Sequence, residues 1–194
     1  MKNLIEKSLL KAKAELEDPC FCKIAIHGGY ENYLRDIIFF ELTKSFPGQY
    51  EVEYKYENLR FDLVKINTEK KLETIIQLGH NGTWQPENFV RDHAIKNAND
   101  WIAKGIAGID IFTVSIITDI QKLNETELFR IPKSYLEGTK RNIANGFTKI
   151  IEIKENIEII DPNYLPVGPF IANWNSFEVK IYVFIAGPFN TIIT

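Results

Sequence analysis

Asp62 is a carboxylate within an otherwise apolar strand, and this position is the first candidate for chemistry. The side chain alternates with apolar residues, so a regular strand would direct it toward the core. An ionised carboxylate is costly there unless a metal ion, a cation or several N–H groups contact it. A salt bridge to Arg60, Arg35 or Lys96 would also satisfy it, as would a strand end that reaches water.

Gln77 and Gly79 lie on one side of the following strand and are the next candidates. Gln77 follows Asp62 by 15 residues, a separation that fits one tight hairpin. The Gln77 amide can offer an oxygen to a metal, orient a water molecule or hydrogen-bond a base, and plain strand pairing is its alternative role. Gly79 has no side chain, so no acid or cation comes from that position.

Two charged residues on predicted helices could join this group. Glu31 opens a helix, where its carboxylate either serves a site or interacts favourably with the helix dipole. Lys96 shares a helix face with Asp92 and Asn99. The lysine could therefore reach the strand pair or form an exposed ion pair with Asp92.

The elements that must position these residues alternate between helices and strands. In chain order, the predicted core elements are a helix at 30–46, strands at 50–57, 59–66 and 72–80, a helix at 86–104 and a strand at 111–117. The last two strands of the meander are close enough in sequence to form an antiparallel hairpin. The final strand is mostly apolar, as expected of a central strand that is covered on both faces. The sequence therefore predicts an α/β fold, with a mixed central sheet flanked by helices.

The segments outside this core complete a single predicted domain over residues 1–194. An N-terminal helix at 3–16 precedes the core, Pro19 stops it, and residues 20–27 read as an apolar link. The C-terminal elaboration, residues 121–194, is expected to contain a helix within 132–145, a β-hairpin at 149–160 that turns at 154–156, and a strand at 177–186.

Composition limits the classes of function. The chain has 194 residues, of which 45% are hydrophobic and 25% charged, in keeping with one globular domain. A net charge of −3 argues against tight, sequence-independent binding to phosphates. The longest apolar runs are too short to span a membrane, and the N-terminal residues lack the apolar stretch of a signal peptide. We therefore expect a cytoplasmic protein that does not use a membrane as a partner.

The order of elements and the candidate residues resemble the core of the PD-(D/E)XK nuclease superfamily, the restriction-endonuclease-like fold, over residues 30–120. In that family the first core helix carries an acid, which Glu31 matches, and the middle strand carries an aspartate, which Asp62 matches. The next strand of the family ends in Glu-x-Lys. This chain has Gln77-Leu78-Gly79 in that place.

The resemblance implies a restriction-endonuclease-like core and a metal site. Its ligands to Mg²⁺ or Mn²⁺ would be Asp62, Glu31 and Gln77, and Lys96 is the candidate to replace the family's lysine, which is missing at Gly79. An active site of this kind would hydrolyse phosphodiesters, as a deoxyribonuclease does. Two departures, an amide in place of a carboxylate and a glycine in place of a lysine, predict an impaired site.

Three functions follow, and the sequence leaves all of them open. The first is a restriction-endonuclease-like protein with an impaired metal site that binds nucleic acid or protein. The second is an active Mg²⁺-dependent nuclease whose site is rearranged around Lys96. The third is a non-nuclease interaction or regulatory protein, acting as a homodimer or with a protein partner.

Overall fold

A computed structural model describes residues 1–26, 30–82, 89–104, 106, 108–122 and 133–190 of the chain. Over these residues the chain forms a six-stranded mixed sheet with helices on both faces, so the predicted α/β class is confirmed.

The elements follow one another in a simple order. The helices are α1 (Lys2–Lys11), α2 (Lys13–Leu16), α3 (Pro19–Ile26), α4 (Tyr30–Ser45), α5 (Phe89–Ala103) and α6 (Lys133–Ile160). The strands are β1 (Tyr50–Tyr56), β2 (Leu59–Ile66), β3 (Leu72–Gly82), β4 (Asp110–Lys122), β5 (Leu165–Trp174) and β6 (Phe177–Phe189). None of the described helices is long and apolar enough to cross a membrane.

The strands lie in the order β1-β2-β3-β4-β6-β5. Strands β1, β2 and β3 form the predicted antiparallel meander, and β4 pairs with β3 in parallel. A parallel pair needs a long crossover, and α5 lies within the connection between β3 and β4. Strand β4 therefore occupies the middle of the sheet, between β3 and β6.

The sheet divides the apolar core into two layers. Helices α1 to α4 cover one face, where Leu34 and Ile116 belong to one buried cluster. Helices α5 and α6 cover the other face, where Trp101 and Ile153 belong to a second cluster together with Ile117. Because Ile116 and Ile117 are successive residues of β4 that face opposite layers, this strand is buried on both sides, as predicted.

Helix α6 corrects the prediction for the last third of the chain. The β-hairpin predicted at residues 149–160 is wrong, because α6 continues unbroken through this segment. Its buried residues Ile150, Ile153 and Ile157 are spaced at three and four residues, which is the period of a helix face. Asn156, which suggested a turn, donates a hydrogen bond of 2.9 Å from Nδ2 to a carbonyl oxygen one turn earlier.

The N-terminal segment differs from its prediction in one respect. The helix predicted at 3–16 is present as the two short helices α1 and α2. Residues 20–26 of the predicted link form most of α3, and residue 27 lies outside the described residues. Pro19 begins α3 instead of merely ending the previous helix, because its missing N–H costs nothing in a first turn. Asp18 caps this helix, with Oδ1 accepting the N–H of Cys20 at 2.7 Å.

Strand β5 is the one described strand that sequence patterning did not predict. It contains Pro166 and Pro169, which usually mark the absence of a strand. Both are tolerated because β5 is the edge of the sheet and pairs with β6 alone. Strand β6 covers the predicted strand at 177–186 and extends three residues beyond it, to Phe189.

Candidate functional site

Asp62 and Gln77 meet where the main-chain pairing of β2 with β3 stops. Pairing runs from Ile66 to the Leu63–Ile76 pair, with a register shift between Lys65 and Ile66. Beyond it, Asp62 Oδ2 accepts the main-chain N–H of Leu78 at 2.8 Å. The main-chain N–H of Asp62 donates in turn to Gln77 Oε1 at 3.4 Å. The two side chains therefore make the hydrogen bonds between β2 and β3 at the point where main-chain pairing ends. The predicted proximity of Asp62 and Gln77 is present.

A distortion of β1 and β2 surrounds Asp62. The register places Glu53 of β1 opposite it, and Glu53 has a φ of 51°, in the left-handed region. Phe61 packs in the layer beneath α5, with its ring 5.0 Å from that of Trp101, whereas Leu63 belongs to the layer beneath α4. Alternate residues of a regular strand share a face, so β2 changes face at Asp62. The predicted simple alternation through Asp62 is therefore wrong.

Ion pairs hold this distortion in place. Arg35 Nη1 and Arg60 Nη2 both bind Glu53 Oε1, at 2.9 Å and 2.6 Å. A left-handed conformation at a residue other than glycine costs roughly 1–2 kcal/mol, which such charged contacts offset in part. Strained positions of this kind are enriched at functional sites. Sequence reasoning did not single out Glu53, because its role depends on a backbone conformation that no local pattern indicates.

The carboxyl group of Asp62 is hard to ionise. Burial raises its pKa from the ordinary 3.8 to about 6, against the opposing effect of the hydrogen bond from Leu78 N–H. The negative charge of Glu31 raises this pKa further, and the positive charges of Arg35 and Arg60 lower it. Because both arginines form their ion pairs with Glu53, the buried charge of Asp62 is only partly compensated.

Of the three predicted metal ligands, Asp62 and Gln77 are in contact, and Glu31 acts on Asp62 through its charge, but the three form a poor set for a hard cation. Glu31, in the first turn of α4, repels Asp62, and a divalent cation between them would relieve that repulsion. However, Asp62 Oδ2 is already engaged with Leu78 N–H, and Gln77 contributes only an amide oxygen, which faces β2. Within the described part of the chain, no group of three His, Cys, Asp or Glu residues could hold a metal ion.

On the face of the sheet that α5 and α6 cover, a strip without large apolar side chains crosses β3 and β4. It consists of Gln77, Gly79, Thr113 and Ser115. Gln77 pairs with Thr113, and Gly79 with Ser115. Alternation from Ile75, which lies in the layer beneath α5 and α6, places this strip on the same face. A Cβ atom at Gly79 would meet no heavy atom of the described residues within 4 Å. The position therefore lacks the lysine that the resemblance predicts, and the described residues leave space for a Cβ atom there.

Lys96, the predicted substitute for that lysine, is exposed on α5. Among the described residues, the charges that shift the pKa of Asp62 belong to Glu31, Arg35 and Arg60. A contact between Lys96 and the site stays a prediction. The side chain of Asp92, its predicted neighbour on the helix face, lies outside the described residues, and Asn99 is half-buried.

Comparison with protein-family models, with curated proteins and with solved structures finds no match. What the site can do follows from its own residues. They supply a desolvated carboxylate at Asp62, a second carboxylate at Glu31 and an amide at Gln77.

Proposed function

We propose that this chain is a restriction-endonuclease-like protein with an impaired metal site, and that it binds nucleic acid or protein without cleaving phosphodiesters. The observation that carries the proposal is the contact between Asp62 and Gln77 at the end of the β2–β3 ladder, within electrostatic range of Glu31. In a restriction-endonuclease-like protein, this contact would lie at the metal site, with an amide in place of one of the acids.

The arrangement of elements supports the kinship with restriction endonucleases. Helix α4 leads into the antiparallel meander β1–β3, α5 follows, and β4 returns parallel to β3. Helices α4 and α5 pack on opposite faces of the sheet. This is the helix-strand-strand-strand-helix-strand order that the resemblance implies, and it extends over the residues that carry the candidate site.

The chemistry of the site supports its impairment. Mg²⁺ prefers several carboxylate and water oxygens in a nearly octahedral arrangement, and an amide oxygen is a weaker ligand. Phosphodiester hydrolysis also needs a cation that offsets the charge growing on phosphorus. Gly79 cannot provide one, and the arginines nearest to Asp62 are held by Glu53.

Cleavage assays with Mg²⁺ and with Mn²⁺ test this proposal. With plasmid DNA, linear duplexes and single-stranded RNA, we expect the wild-type chain to cut no faster than its Asp62→Ala variant. The variant controls for contaminating nuclease, since any trace that survives the substitution does not come from this site. Robust cleavage that disappears in Asp62→Ala would contradict the proposal.

The electrostatic effect of Glu31 on Asp62 favours one alternative, an active nuclease with a rearranged site. In that case Glu31, Asp62 and Gln77 would hold the metal and Lys96 would act for the absent lysine. Lys96→Ala should then abolish turnover, whereas Lys104→Ala, an exposed lysine just after the same helix, should leave it intact. Equal activity in the two variants would remove Lys96 from the mechanism.

A further inference from the structure

The outer surface of the N-terminal helices carries a groove that the nuclease-like site does not use. One cavity of about 430 Å³ lies between α1–α2 and α4, and a second of about 310 Å³ lies among α2, α3 and α4. Glu15 and Tyr33 line both cavities, so the two adjoin and together form a two-part depression. We call this depression the helical groove.

Large apolar side chains are exposed along the helical groove. Phe40 in the larger cavity is 59% exposed, and Ile24 in the smaller one is 37% exposed. The ring of Phe21 lies against that of Tyr33, with centroids 5.3 Å apart, and both rings line the smaller cavity. Apolar side chains that are scattered singly need no explanation, but apolar side chains that line adjoining concavities are typical of a binding surface.

Carboxylates lie beside these apolar side chains in both cavities, but lysines neutralise the charge of Glu41 in the larger cavity only. In the larger cavity, Glu41 binds both Lys11 (2.7 Å) and Lys44 (2.9 Å). In the smaller cavity, Glu15 accepts the hydroxyl of Tyr33 at 3.0 Å, and Asp18 accepts the N–H that it caps. Among the described residues, those that line the smaller cavity include these two carboxylates and no lysine or arginine.

The effect of the two carboxylates is visible on Tyr33. Burial raises the pKa of its hydroxyl, and the hydrogen bond to Glu15 and the charges of Glu15 and Asp18 raise it further. The two carboxylates therefore make the electrostatic potential at this hydroxyl more negative. A cation placed there would gain from both carboxylates and from the faces of the two aromatic rings.

We propose that the helical groove binds a basic amphipathic segment of a partner protein. A lysine or arginine of that segment occupies the smaller cavity between Glu15 and Asp18, and its apolar side chains cover Phe40 and Ile37 in the larger cavity. Charge complementarity selects this occupant, because the same carboxylates repel nucleic acid and anionic lipid. The inference goes beyond the proposed function and depends on different residues.

Fluorescence anisotropy with a labelled model peptide tests the proposal. The probe is a short amphipathic helix of leucine and arginine, and its counterpart carries glutamate in place of arginine. We expect the full chain to bind the basic probe and not the acidic one. The double variant Glu15→Gln/Asp18→Asn should weaken binding at least about tenfold, the factor that corresponds to 1.4 kcal/mol. Both substitutions keep an acceptor for the hydrogen bonds that Tyr33 and Cys20 donate, so the fold is preserved.

A matched control separates this groove from general attraction to an acidic protein. Glu155→Gln/Glu158→Gln removes the same charge from two exposed residues of α6 and should leave the affinity unchanged. Phe40→Ser should also weaken binding, because the apolar contact is lost. Equal losses in the two charge variants, or no loss in Glu15→Gln/Asp18→Asn, would overturn the proposal. So would self-association of the chain that this double variant abolishes, because the occupant would then be a second copy.

Discussion

The double variant Gln77→Glu/Gly79→Lys should cut DNA in the presence of Mg²⁺ or Mn²⁺ at least about a hundredfold faster than the wild-type chain, because one positioned charge at a reacting centre is typically worth that much. The glutamate supplies the second strand carboxylate that a hard cation needs. The lysine supplies a positive charge that offsets the negative charge growing on the phosphoryl group during hydrolysis. This result would be a gain of activity, which damage to the fold cannot imitate.

The structure accommodates both substitutions. A glutamate at position 77 can still accept the hydrogen bond that the main chain of Asp62 donates to Gln77 Oε1. At Gly79 the backbone is outside the left-handed region, and a Cβ meets no heavy atom of the described residues within 4 Å. Without metal, the new carboxylate adds to the repulsion between Glu31 and Asp62. Mn²⁺ should therefore raise the melting temperature of the variant more than that of the wild type.

Three controls make this outcome decisive. Circular dichroism establishes that the double variant is folded, and Gly79→Ala shows whether a side chain at this position is tolerated without adding charge. Adding Asp62→Ala to the double variant should return cleavage to background. A folded double variant that binds Mn²⁺ but leaves DNA intact would contradict the kinship with restriction endonucleases.

Asp62→Asn should stabilise the wild-type fold by about 1–2 kcal/mol at pH 7.5. Burial raises the pKa of this carboxyl from 3.8 to about 6. One pKa unit corresponds to about 1.36 kcal/mol of stability. Because the side chain is partly exposed to solvent, screening makes the expected gain smaller than the full pKa shift would give. The asparagine removes the buried charge, and its carbonyl oxygen can still accept the N–H of Leu78.

The pH dependence of this effect has a definite sign. The folded state holds the Asp62 proton more tightly than the unfolded state, so the wild type loses stability as pH rises from about 4 to about 6. The advantage of Asp62→Asn should therefore be absent near pH 4 and complete above pH 7. Urea unfolding at several pH values measures it. Asp100→Asn, an exposed aspartate on α5, is the matched control and should change stability by less than about 0.5 kcal/mol. Destabilisation by Asp62→Asn at pH 7.5 would show that the carboxylate is well compensated.

The meander could be predicted because its signals are local. The alternation in β1, the short links between strands and the apolar run of β4 each specify an element without reference to the rest of the chain. The same reasoning failed at residues 149–160, where Asn156 suggested a turn. There, the three buried isoleucines of α6 decide the structure through their contacts with the sheet. Contacts made across the fold override a local preference for a turn.

The site was only partly predictable for the same reason. The spacing between Asp62 and Gln77 follows from one hairpin, so their contact could be foreseen. The change of face at Asp62 could not, because it depends on the left-handed conformation of Glu53 and on its ion pairs with Arg35 of α4 and Arg60 of β2. The burial that raises the pKa of Asp62 is likewise a property of the assembled layers rather than of the strand.

Anomalous diffraction from crystals soaked in Mn²⁺ tests the central claim most directly. In the Gln77→Glu variant we predict one ion that contacts Asp62 and residue 77, whereas wild-type crystals soaked at the same concentration show none there. An ion bound away from these two residues in the variant would contradict the assignment of a nuclease-like site. An ion held by Asp62 and Gln77 in the wild type would contradict its impairment.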